Sequence, residues 1–109
     1  MGRKKQSPKQ NIYNLMVLKL FKELSKTPEA RLSIREASRT LKIHPMAVYR
    51  AIRRIEPILD IKIGSEFESF RLPLKLIRLK PELEKLTTGE LIEKVNLSKK
   101  LLKEIYKQP

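Results

Sequence analysis

Arg50, Arg53 and Arg54 follow closely behind a proline in the run HPMAVYRAIRRIE, and of all residues in this chain they are best placed to do chemistry. A guanidinium keeps its charge at any ordinary pH and presents several N–H donors in one plane, which suits it to gripping oxygen acceptors. At helical spacing, Arg50, Arg53 and in part Arg54 share a side with Met46, Ala47 and Tyr49, while Val48, Ile52 and Ile55 form a stripe on the other side. The expectation is a helix with a positive, hydrogen-bonding outer surface and an aliphatic anchor behind it.

The residues upstream say how that helix is held. Ser33 followed by Glu36 is a capping box, in which each side chain satisfies a backbone amide that the first helical turn leaves open, so a helix is predicted to begin at Ile34. Ile34, Ala37 and Leu41 recur at helical spacing, and small Ala37 lets a second helix approach closely. Lys42 and Ile43 make the turn, with Ile43 as its apolar plug. Pro45 is favoured at a first helical position, where its missing amide proton would have no partner, so the second helix starts after His44.

This segment, Leu32 to Glu56, resembles the helix-turn-helix of the winged helix-turn-helix superfamily, on Ala37, Leu41, Ile43, Val48, Ile52 and Ile55 with Ser33 and Pro45 as helix starts. His44 stands where a serine or threonine is commoner in that family. The resemblance implies a mainly α fold with a small β-hairpin wing and a C-terminal helix, and a second helix lying in the major groove of DNA with its first two turns at the base edges. The duplex-contacting set it implies, widened to neighbouring cations, is Arg3, Lys4, Lys5, Arg35, His44, Met46, Ala47, Tyr49, Arg50, Arg53, Arg54 and Arg71. The plainer alternative is an amphipathic helix pair with a solvated cationic face.

Charge favours the first of these. The chain has 25 Lys and Arg against 12 Asp and Glu, for a net +13 in 109 residues, and ten of those thirteen charges fall before residue 59. A surplus of that size is the footprint of a polyanion binder, and it sits with the helix-turn-helix. Ribosomal or membrane-surface roles also use basic chains, so charge does not choose DNA unaided. Single-stranded RNA binding would need an exposed aromatic platform that the pattern does not offer.

Length and composition exclude other classes. The chain is one domain in size, with enough Leu, Ile and Val for a single core. Without cysteine it has neither a disulfide framework nor a thiolate metal site. The longest apolar run, Leu15 to Leu18, is too short to cross a bilayer, and no signal pattern opens the chain, so a cytoplasmic, nucleoid-associated protein is expected. His44 at a helix start reads as a cap or phosphate contact. No Gly-rich loop, activated nucleophile or metal-spaced cluster accompanies it, so no enzyme, cofactor or metal is expected.

The division expected is a flexible basic arm over residues 1–10, a winged helix-turn-helix domain over 11–86, and a C-terminal helical segment over 87–109. The arm, MGRKKQSPKQ, cannot bury enough apolar surface to offset ordering, and either lies along phosphates or serves only as a solubilising tail. A first helix is predicted from about Asn11 to Ser25, with Met16, Val17, Leu20, Phe21 and Leu24 covering the helix-turn-helix. Ile12, Leu15 and Leu18 are then left on a second apolar face, which argues for a homodimer.

From Ile58 to Lys80 the period changes to two, with Ile61 and Ile63 in one run and Phe70, Leu72, Leu74 and Leu76 in another, joined through Gly64 and Ser65. This is the expected wing, with its second strand strongest from Leu74 to Leu79, Pro73 at an edge or strand start, and a small third strand from Arg31 to Ser33. Its connection reads GSEFES, where wings that grip DNA carry Lys, Arg or Gly. Glu66 and Glu68 would be repelled by phosphate, so the tip either lifts from the duplex or meets a protein through Phe67 and Phe70, unless both rings fold into the core.

After a short helix at Pro81 to Leu86, Thr87 and Glu90 form a second capping box. Leu91, Val95, Leu101, Leu102 and Ile105 continue a helical stripe and complete the expected dimerisation set. Shifted by 54 residues, this segment falls on the first motif, with Ser98 matching His44. A long or broken dimerisation helix is the preferred reading, and a second helix-turn-helix-like pair is the alternative. The function that follows is sequence-specific binding of double-stranded DNA as a homodimer in transcriptional regulation. The alternative is a DNA-coating architectural or plasmid-partition protein that recruits a protein partner, roles the resemblance also covers, archaeal plasmid and chromatin proteins included.

Overall fold

Local capping explains where the helices start. The computed structural model describes residues 8–67 and 72–107, with side chains described for 9–67 and 72–97. Its elements in order are helix α1 (Pro8–Leu24), α2 (Ile34–Leu41), α3 (Pro45–Ile55), strand β1 (Leu59–Phe67), strand β2 (Pro73–Leu79) and helix α4 (Thr88–Lys107). Single 3-10 turns at Glu56–Ile58 and Pro81–Leu83 lead into β1 and towards α4. The fold is therefore mainly α, with an antiparallel hairpin after the third helix and a C-terminal helix, an arrangement compatible with a winged helix. No helix among the described residues is long and apolar enough to cross a membrane.

The predicted starts hold for α2, α3 and α4. Ser33 accepts from the Glu36 amide while the Glu36 carboxylate accepts from the Ser33 amide, and Thr87 and Glu90 repeat the exchange. Each such cap stabilises its helix by about 1 kcal/mol. α1 begins earlier than expected, at Pro8, a residue type that suits a first helical turn. Between α2 and α3, Lys42 takes the left-handed conformation at φ 58° and returns its amide to Ser38. The buried Ser38 hydroxyl donates to the Ile43 carbonyl at 2.5 Å, a lock on the turn that the sequence pattern did not reveal.

The core forms where α1 lies chiefly against α3, with α2, the hairpin root and α4 closing around them. Val17, Leu18 and Phe21 of α1 meet Ala37, Val48, Ala51, Ile52 and Ile55 of the helix pair, then Leu59, Ile77 and Leu79 of the hairpin, and Leu91 and Val95 of α4. Burying a side chain such as Leu18 or Phe21 contributes about 1.5–3 kcal/mol. α1 is thus turned relative to expectation, with Leu18 inside and Met16 only half-buried.

The hairpin pairs Leu59 with Leu79, Ile61 with Ile77 and Ile63 with Lys75, and Leu32 adds one bridge to Ile77 in place of a full third strand. β1 runs through Gly64 and Ser65, which the sequence had suggested as the connection. An irregularity there sets Phe67 opposite Pro73, and a Cβ on Gly64 would sit 3.4 Å from the Leu74 carbonyl oxygen. The alternation also falls on the other parity in β2. The core-facing residues are Ile77 and Leu79 with Lys75 in line, while Leu72 is exposed and Leu74 and Leu76 are half-buried.

Behind the hairpin root, Arg31 pairs with Asp60 at 2.7 Å, and buried Arg78 binds both Glu84 and the Ala30 carbonyl. The hydrogen bond from Arg31 holds the Asp60 carboxyl below the usual carboxylate range. α4 is one continuous helix from Thr88 to Lys107, which excludes the second helix-turn-helix with a cap at Ser98.

Candidate nucleic-acid interface

α3 is anchored from behind and open in front. Val48, Ala51, Ile52 and Ile55 are buried, whereas Met46, Arg50 and Arg53 are exposed and Ala47 and Tyr49 lie half-buried at the boundary. His44 caps the helix, its Nδ1 accepting from the Met46 amide at 3.0 Å.

Tyr49 organises the face. Arg53 donates through Nη1 to the Tyr49 hydroxyl at 3.0 Å, and its guanidinium carbon lies 5.9 Å from the ring centre. The Lys75 ammonium also lies 5.9 Å from that ring. One aromatic ring therefore joins a cation of the helix to a cation of the hairpin, an arrangement favoured by the ring's negative face. The hydrogen bond to Tyr49, the electrostatic contact with the same side chain and nearby Glu56 raise the Arg53 pKa above its ordinary value. Glu56 approaches Arg53 at 3.6 Å, both exposed, an ion pair weak enough to give way to a phosphate.

His44, Met46, Ala47, Tyr49, Arg50 and Arg53 of the expected contact set lie on this side. Arg35, on α2, is exposed. Arg54 turns away: its Nε donates to Asn14 Oδ1 on α1 at 2.6 Å, and burial followed by repulsion from Arg50 lowers its pKa. Arg3, Lys4, Lys5 and Arg71 lie outside the described residues, as does Phe70. Sequence reasoning passed over Lys75, and also Arg39 and Lys42, which are exposed. The signal for Lys75 was its two-residue spacing from Ile77, which puts both on the hairpin face that looks towards α3.

The expected dimerisation set divides. Leu18, Leu91 and Val95 are 1%, 0% and 6% exposed inside this chain's own core and so are core residues, not interface residues, because α1 and α4 pack against each other and against α3. Ile12 and Leu15 are exposed, joined by Ile92 and Leu97 on α4. Leu101, Leu102 and Ile105 have side chains outside the described residues. Between α1, the end of α3 and α4 opens a groove of about 310 Å³, lined by Leu15, Leu18, Ile55, Ile92 and Val95 with Arg54 and three asparagines, Asn11, Asn14 and Asn96.

The hairpin's far half stands clear of the body. Ile63, Phe67 and Leu72 are exposed, and Glu66 lies beside Phe67. Phe67 therefore does not fold back into the core; Glu68 lies outside the described residues.

Compared with known proteins, the chain matches no family model, no curated protein and no solved structure.

Proposed function

We propose that this chain is a winged helix-turn-helix protein that binds double-stranded DNA, with α3 in the major groove, and that it works as a homodimeric transcriptional regulator. One observation carries the reading: Arg50 and Arg53 are exposed on a helix whose opposite face, made by Val48, Ala51, Ile52 and Ile55, is buried. Met46, Ala47, Tyr49 and Arg50 meet base edges in this reading. Arg53, Lys75 and the α2 cations lie along phosphates. The exposed Ile12, Leu15, Ile92 and Leu97 supply an apolar surface for a second copy. A two-fold pair would present two recognition helices to grooves roughly 34 Å apart, and so favour a palindromic or repeated site.

The hairpin favours a second reading. Its exposed Ile63, Phe67 and Leu72, next to Glu66, suit a protein contact better than phosphate, as a partition or DNA-coating protein would require. Footprinting on long natural DNA at rising protein concentration tests both. Discrete protected sites support the regulator, and protection spreading from one origin supports coating. Changing Arg50 to Ala should cost about 1–3 kcal/mol at a specific site and relax base preference. An unchanged binding curve removes α3 from the interface.

A further inference from the structure

The groove between α1, α3 and α4 combines an apolar wall with one cation, Arg54, that has no counter-ion among the described residues. Leu15 and Leu18 of α1 face Ile92 and Val95 of α4 across it, and Arg54 closes one side. Among the described residues Arg54 forms no ion pair. Its bond to the neutral Asn14 side chain uses Nε, leaving the two terminal nitrogens without a hydrogen bond among the described groups. The charge that acts on it is that of another cation, Arg50. Among the described residues the carboxylates of the packed elements make no hydrogen bond or ion pair with it. Glu56 meets Arg53, Glu90 closes its own helix cap, and Glu93 is exposed on α4.

We propose that this groove is a binding site for a small amphipathic carboxylate, its tail on the leucine, isoleucine and valine wall and its head paired with the Arg54 fork. The physical reasons are two. A partly desolvated guanidinium beside a like charge is costly until an anion meets it, and a planar carboxylate matches its two terminal nitrogens in a bidentate pair. The volume, the apolar wall and a few convergent polar groups are those of small-ligand sites, which begin at roughly 300 Å³. Asn14 holds the guanidinium in place in advance, which lowers the entropy lost on binding. A second copy resting on Ile12, Leu15 and Ile92 roofs this groove without satisfying it, because an apolar partner surface leaves Arg54 unpaired. The site does not depend on what α3 reads.

Titrating the full chain with octanoate and with its uncharged analogue octanamide, followed by two-dimensional NMR, tests the assignment. Octanoate should shift the Arg54 Nε–H and the Leu15 and Ile92 methyl signals and bind roughly tenfold or more tightly than octanamide. Arg54→Met should abolish that preference while leaving the spectrum dispersed. Ile92→Glu, which sets a carboxylate on the groove's rim, should compete with octanoate and weaken it by a similar factor. Equal binding of the two probes, or no shift at these residues, overturns the proposal. So do Arg54 shifts that follow protein concentration and ignore octanoate, since they would assign the anion to a carboxylate of a second copy.

Discussion

Residues 33–55 and 87–107 both open on a hydroxyl residue three places before a glutamate, yet the first bends into two helices and the second runs on as one. Their apolar positions correspond: Leu41 to Val95, Ile43 to Leu97, Val48 to Leu102. The difference lies in two other places. Pro45 keeps His44 extended, at ψ 139°, whereas its counterpart Lys99 imposes nothing on Ser98. Ser38 donates to the Ile43 carbonyl, whereas its counterpart Ile92 has no hydroxyl to give. Lys42 accepts a left-handed backbone, at a cost of about 1–2 kcal/mol, because both of these constraints act on the turn it ends. Apolar spacing tells which face of a helix is inward. A proline and a hydroxyl decide whether there is one helix or two.

The largest effect expected from exchanging these features is in α4. Lys99→Pro removes an amide donor and sets its ring against the Val95 carbonyl, costing about 3 kcal/mol and exposing the amides around it to hydrogen exchange. Undiminished protection there would break the comparison. Next, Ser38→Ala leaves the Ile43 carbonyl without its donor and should lower stability by about 1–3 kcal/mol in urea unfolding. Ile92→Ala, at the matching but exposed place, should stay within about 0.5 kcal/mol. Glycine substitutions sharpen the contrast by sign. Lys42→Gly should raise stability by about 1 kcal/mol by relieving the left-handed residue, and Asn96→Gly should lower it by about 0.5–1 kcal/mol in mid-helix, both read from melting midpoints.

The smallest effect is one of pH. The Thr87 backbone amide, helped by its hydroxyl, holds the Glu90 carboxyl below its ordinary value. A carboxylate depressed by folding contributes its stability above its unfolded pKa and loses it as pH falls through the folded one. The first turn of α4 should therefore fray in acid, below the usual carboxylate range, as an NMR titration of residues 88–91 would register. Thr87→Ala should move that fraying to higher pH.

Features carried by two or three neighbouring residues were legible in the sequence: both capping boxes, the His44 start before Pro45, and the outward Arg50 and Arg53. What was not legible depended on how elements rotate against one another. α1 is apolar nearly all round, so nothing local chose between Leu18 and Met16 for the core. The docking of α4 into that core took Leu91 and Val95 out of the surface. Arg54 lies one position from Arg53, at the border of the outward face, and its bond to Asn14 on α1 holds it in the groove. Ser38, a polar residue in a helix, reads as solvated until the Ile43 carbonyl is seen beside it. Gly64 signals a turn by type, but here it continues β1 beside Leu74. The parity of β2 escaped because its root is covered on both faces, by the core on one and by Arg31, Glu84 and the Ala30 loop on the other.

The single bridge between Leu32 and Ile77 leaves the outer border of β2 open beyond it, and two residues on that border make it a poor template. Pro73 has no amide proton to offer, and Lys75 brings a charge that a stacked neighbour would have to bury. Addition of a further strand along that border of β2 is thereby disfavoured.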